Sequence, residues 1–175
     1  VMLIALDASA PAAPPSEPVV ISQHDEEFDP YVTVVLAGTR VSFPNRDKIR
    51  HQVYSLSKTK PFEIPLYGPG TEQTVVFDRP GVVALGCNIH DWMAAYVVVL
   101  ATPHFARSGD DGVALVTGVP PGRHRLEVWH PRVKAVLTRE VTVEGAGAST
   151  QVIALTLGVD RRVRRAPEAA GGGYK

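Results

Sequence analysis

Cys87, His90 and Met93 follow one another at three-residue intervals in the stretch GCNIHDWM (Gly86–Met93). The chain contains one cysteine and two methionines, so finding one of each around a histidine is a pattern that asks for a cause. A thiolate, an imidazole and a thioether brought to one point make a metal site for a soft ion. A copper site of the electron-transfer type needs a thiolate and two imidazoles in a trigonal plane, with a weak axial thioether. Three of those groups stand in this stretch, and one imidazole has to come from elsewhere.

Five other histidines can supply it: His24, His51, His104, His124 and His130. His51 opens the run HQVYS after the loop NRDKIR. It lies far enough before Cys87 for two strands to intervene and for the chain to return beside the first, as a Greek key allows. His24 sits among acidic residues and reads as a solvated loop histidine. His104, His124 and His130 fall in a later module, and His130 beside Trp129 reads as a packed pair or a docking feature. The donor set suits copper, because thiolate and thioether favour Cu(I) while imidazole suits Cu(II). Tetrahedral zinc more commonly takes several Cys or His and no Met.

These residues need elements to hold them. Apolar residues make up 45% of the chain, enough for a core, and fifteen Gly with fifteen Pro break it into short pieces. Short strands joined by turns are expected, without long helices. The strand-like runs are 19–22, 31–36, 39–45, 51–57, 72–78, 82–87 and 94–102, the last apolar enough to be buried on both faces. The metal stretch is expected as the loop between the last two. From residue 103 a second set follows: 113–119, 123–130, 135–144 and 150–157, with turns at GDDG and PPG. The expected fold is all-β: a Greek-key β-sandwich over 19–102 and a second, smaller β-sandwich over 103–158. Residues 1–18 are expected to be a truncated strand, VMLIAL, whose upstream partner lies outside the sequence, and a Pro/Ala linker. Residues 159–175 are expected to be a basic flexible tail.

Net charge is zero, which gives no global field for nucleic acid or membrane. The basic run Arg161–Arg165 reads as a solvated tail, with a docking site as the other reading. No run approaches the ~20 apolar residues of a membrane span. A single cysteine excludes an internal disulfide. Phosphate loops, Rossmann glycines, HExxH and GxSxG are absent.

The segments FPNRDKIRHQVYS and FDRPGVVALGCNIHDWMAAYVVV resemble the cupredoxins, with the short Cys–His and His–Met spacings of amicyanin. The closer resemblance is to plastocyanin-like proteins of the methylamine utilization type, in which the copper domain precedes a small carboxypeptidase-regulatory or transthyretin-like domain. GVPPGRHRLEVWHPRV resembles that second domain. The resemblance implies one type 1 copper held by His51, Cys87 and His90 in the plane and Met93 axially, with Asn45 bracing the ligand loops. It also places Gln52 where many relatives carry asparagine, and Asn88 and Asp91 where many carry Ser, Thr or Pro. Those positions tune the metal. Asp91 and Trp92 lie between ligands. Trp92 either forms a docking edge beside His90, with Asp91 setting its charge, or simply packs over the loop.

The function implied is a periplasmic or secreted electron carrier that exchanges single electrons with redox protein partners and catalyses no reaction of its own. Copper storage or delivery is the alternative. An enzyme with Cys87 as nucleophile is disfavoured, because no oxyanion-hole pattern or orienting third residue accompanies it. The second module reads as a spacer or interaction domain, with self-association through it left open.

Overall fold

The computed structural model describes residues 3–7, 12–145 and 147–159. Among them are fourteen strands and no helix. They are β1 (Leu3–Leu6), β2 (Val19–Val20), β3 (Ser22–His24), β4 (Glu27–Asp29), β5 (Val32–Leu36), β6 (Thr39–Pro44) and β7 (His51–Ser55). Then come β8 (Phe62–Tyr67), β9 (Glu72–Phe77), β10 (Gly81–Cys87), β11 (His90–Leu100), β12 (Phe105–Arg107), β13 (Gly122–Trp129) and β14 (Leu137–Val143).

The first module has a five-stranded sheet in the order β5-β11-β10-β7-β8 and a three-stranded sheet β2-β6-β9, with the hairpin β3-β4 beside them. Period-2 alternation decides which side chains go inward. Val41 and Phe43 of β6 and Phe77 of β9 meet Val53 of β7, Val83 and Leu85 of β10, and Ala95, Val97 and Val99 of β11 in one core. The two sheets thus share a single apolar interior, as in a sandwich. The pairs β5–β11 and β2–β6 are parallel, and the remaining ladders are antiparallel.

Strand β11 is buried on both faces, as its composition implied. Ala95, Val97 and Val99 face the first core, while Tyr96, Val98 and Leu100 face a second cluster with Tyr31, Val32, Phe105 and Trp129. Tyr96 meets the rings of Tyr31 and Trp129 edge-on at 5.6 and 5.5 Å. The Arg107 guanidinium donates to the Val32 carbonyl at 2.9 Å. This cluster joins the two modules.

The structure differs from the sequence reading in several places, among them the short strands β4 and β12, which were not expected. Strand β8 lies in a segment read as loop, because Pro65 argues against a strand. Pro65 is tolerated since β8 is the sheet's edge and needs no donor on its open side. Strand β11 begins at His90 and not at Ala94, so His90, Asp91, Trp92 and Met93 belong to a strand. Leu3–Leu6 of the opening run VMLIAL do form a strand, and its partners lie within the chain: β1 pairs with both β12 and β13. The second module is then a single sheet, β12-β1-β13-β14. The runs 113–119 and 150–157, read as strands, have no ladder. They still alternate, and Val116, Val119, Ile153 and Leu155 cover Leu6, Leu126 and Val128 as an irregular second layer. The Gly118–Val119–Pro120–Pro121 segment turns the chain before a ladder can form. The basic run Arg161–Arg165 and the rest of 160–175 lie outside the described residues.

Candidate metal centre

Three ladders bring the candidate residues to one end of the first module. The hairpin of β10 and β11 runs in register to Gly86↔Ala94, then shifts so that Cys87 pairs with His90. Asn88 and Ile89 make the turn. Asp91, Trp92 and Met93 are left on β11 without ladder partners, a bulge that re-aims side chains at the strand's end. On the other side of β10, Gly86 is opposite Tyr54 of β7. A Cβ on Gly86 would come 2.8 Å from the Tyr54 ring, so only glycine lets the two strands close here with the ring lying across. Strand β7 starts at His51, whose partner on β8 is Tyr67.

The outcome is convergence. His51 Nδ1 lies 4.0 Å and His90 Nδ1 3.8 Å from Cys87 Sγ. The ligand atoms of the three residues all lie within 4.8 Å of one another. An ion with bonds of about 2.3 Å to sulfur and about 2.0 Å to nitrogen spans ligand atoms roughly 3.5–3.8 Å apart. The two sulfur–nitrogen distances therefore stand within a few tenths of an ångström of what a single ion requires. His51 is fully buried and Cys87 is 3% exposed, while His90 is partly buried. Met93 is buried in the same apolar cluster as Cys87.

The surroundings set donor chemistry. The Gln52 N–H donates to Cys87 Sγ at 3.5 Å. It is the Gln52 backbone that does this, since its side chain reaches away to Glu63 at 2.6 Å. Asn45, 1% exposed, donates to the carbonyls of Ile49 and Tyr67 at 2.8 and 3.2 Å. Its own oxygen accepts the Asp47 N–H at 3.0 Å. It thereby ties the loop before His51 to β8. Asn88 lies exposed in the turn.

Asp47 is the residue that the sequence reading missed. Its Oδ2 lies 3.0 Å from His51 Nε2. A carboxylate there fixes the proton on Nε2 and leaves the Nδ1 lone pair free to face the sulfur. Burial alone would push the Asp47 carboxyl up. Hydrogen bonds from the Glu26 N–H, from His51 and from the Lys48 N–H outweigh it and hold the group below the usual carboxylate range. The signal was present as an aspartate four positions before a histidine, but such a charge in a loop reads equally as solvated.

Tyr67 lies behind the ligand loop. Its hydroxyl donates to the Phe43 carbonyl at 2.8 Å and accepts from the Gln23 side chain. Burial pushes its phenol up to about 12, partly offset by the Gln23 bond.

Trp92 stacks obliquely on His90, with ring centroids 5.3 Å apart, and also packs against the core. Asp91 is exposed beside it. The other histidines are spent elsewhere. His24 stands between Asp25 and Asp29, each at 3.5 Å. His104 Nδ1 lies 3.5 Å from the Thr117 carbonyl, and His124 donates to the Pro120 carbonyl at 2.8 Å. His130 Nδ1 accepts the Arg132 N–H at 3.0 Å. Among the described residues no helix is long and apolar enough to cross a membrane.

No family model and no curated protein matches the chain. Solved structures similar to it include a purple cupredoxin from Nitrosopumilus maritimus, at 23% identity and TM-score 0.43, covering 47% of this chain and 99% of that one. Another is a Cu-containing nitrite reductase from Thermus scotoductus, at 27% identity and TM-score 0.46, covering 54% of this chain and 25% of that one. The chain thus spans a quarter of that nitrite reductase. A reduced amicyanin variant is similar at 17% identity and TM-score 0.46, covering 54% of this chain and 98% of amicyanin.

Proposed function

We propose that the protein binds one type 1 copper ion and carries single electrons between redox proteins. The observation that supports this most is the convergence of one ligand atom each from His51, Cys87 and His90 within 4.8 Å. His51, Cys87, His90 and Met93 would hold the ion. Bound copper supplies a one-electron couple, for which this mixed donor set serves both oxidation states.

The chain's own residues keep the donors in place whichever state is present. Asp47 fixes the His51 tautomer, Asn45 ties down the ligand loop, and the Gln52 N–H stabilises negative charge on sulfur. Burial of His51, Cys87 and Met93 keeps water from the site. His90 is the ligand that reaches the surface. Trp92 against its ring, with Asp91 exposed alongside, forms the edge at which a partner docks. On this reading the protein works in the periplasm or outside the cell, and the second module is a spacer or interaction domain.

The test is the visible absorption spectrum after addition of Cu(II), repeated on Cys87→Ser. An intense thiolate-to-copper band that disappears in the variant is the expected result. Binding of Cu(I) alone, or no band, would overturn the carrier reading and favour copper storage or delivery.

A further inference from the structure

The hairpin of β3 and β4 closes through Asp25 and Glu26, whose φ angles are 51° and 60°. Two central residues with positive φ mark a type I′ turn, normally filled by Asn-Gly or Asp-Gly. Glutamate at the second position carries a conformational cost. The Glu26 N–H donates at 2.8 Å to Asp47 Oδ2, the same oxygen that lies 3.0 Å from His51 Nε2. The other oxygen, Oδ1, accepts the Lys48 N–H at 2.8 Å. Backbone donors thus pin the carboxylate at both oxygens and leave it one way to face the imidazole.

The hairpin is also fastened to the ligand loop. The Arg46 N–H donates to the Gln23 carbonyl at 2.8 Å, Gln23 bridges to Asn45, and Gln23 is fully buried.

We propose that the Asp25–Glu26 turn is a positioning element for His51. Its backbone N–H orients Asp47, and Asp47 orients the imidazole and fixes its tautomer. The inference rests on His51 being a metal ligand, yet its central step is readable in the metal-free protein.

The experiment compares the unaltered chain, a chain with one glycine inserted between Asp25 and Glu26, and the double variant Asp25→Asn, Glu26→Gly, which keeps both N–H groups. Imidazole 1H–15N spectra of the metal-free proteins report the His51 tautomer and the exchange of its Nε2 proton. A chelator chase reports Cu(II) release from the loaded ones. The unaltered chain and the double variant are expected to show His51 protonated on Nε2 and a protected Glu26 amide. The insertion is expected to speed Nε2 proton exchange and metal release by about tenfold, the lower end for an indirect partner of a ligand.

A Glu26 amide that exchanges freely in the unaltered chain overturns the inference. So does a folded insertion variant whose two rates stay within about twofold of the unaltered protein, well short of that indirect-partner effect. If the insertion prevents folding, Glu26 amide exchange in Asp47→Ala decides: acceleration supports the inference and no change overturns it. A His51 response in chains that never show a thiolate-to-copper band would keep the turn's role and remove the copper reading.

Discussion

Gly86→Ala tests whether the site depends on the close approach of β7 and β10. The added methyl would meet the Tyr54 ring at 2.8–2.9 Å, against 3.4 Å for the near edge of ordinary contact. Glycine is not needed here for its backbone angle, since Gly86 is absent from the positive-φ glycines. The cost is therefore steric. Overpacking costs about 1–3 kcal/mol, and the atoms to be moved are the far end of a partly exposed ring, which points to the lower half of that range. Replacing glycine lowers the entropy of the unfolded chain and returns about 0.4–1 kcal/mol. The net expectation is a loss of roughly 1 kcal/mol in the first module. In a Tyr54→Ala background the clash is gone, and the same substitution should become neutral or stabilising by up to about 1 kcal/mol. The assay is urea unfolding of the metal-free protein followed by Trp92 fluorescence in a Trp129→Phe chain, so that only the first module reports. Equal costs in the two backgrounds, within the ~0.5 kcal/mol of independent sites, would refute the reasoning. A change of sign would bear it out.

Trp92→Ala should slow electron exchange with a redox partner while leaving the copper band, and stopped-flow mixing checks it; unchanged exchange would leave Trp92 as packing alone. Tyr67, with its phenol raised to about 12 from 10.0, should contribute stability that is complete below pH 10 and is lost as pH rises through 12. Its ionisation favours the unfolded chain, so Tyr67→Phe should flatten the alkaline arm of a stability–pH curve. Leu126→Ala should destabilise the second module by about 2–5 kcal/mol, because it empties a buried position, and should leave absorption from the candidate metal site unchanged. Removing residues 1–6 should make the segment 104–159 the first to be cut in limited proteolysis.

The candidate ligands were legible to different degrees, for physical reasons. Cys87, His90 and Met93 crowd into one stretch, where spacing alone carries information. His51 had to be chosen by topology, and the β10–β7 and β7–β8 ladders bring it to Cys87. Asp47 and Glu26 act through a side chain four positions away and a backbone N–H across a hairpin, neither of which leaves a compositional trace. Strand β4 was hidden because two of its three residues, Glu27 and Asp29, are charged. Strand β8 was hidden by Pro65. The alternation in 113–119 and 150–157 correctly marked which side chains turn inward. It said nothing about whether the backbone would find a ladder, since burying one face and pairing an edge are separate requirements. The partners of β1 were illegible because pairing across the whole first module leaves no local signal.

That placement of β1 has a consequence for biosynthesis. The strand leaves the ribosome ahead of the whole first module, yet its neighbours, β12 and β13, emerge about 100 and 120 residues later, some 5–20 s or more at ordinary elongation rates. The first module can complete its own sheets within that interval. The apolar segment 3–6 must meanwhile wait with its backbone donors and acceptors unpaired, as an edge open to any passing strand. Closure of the second sheet then joins β1 to strands on the far side of the first module and is a late, long-range step. Chaperoning of the nascent β1 segment would therefore bear on the yield of folded protein.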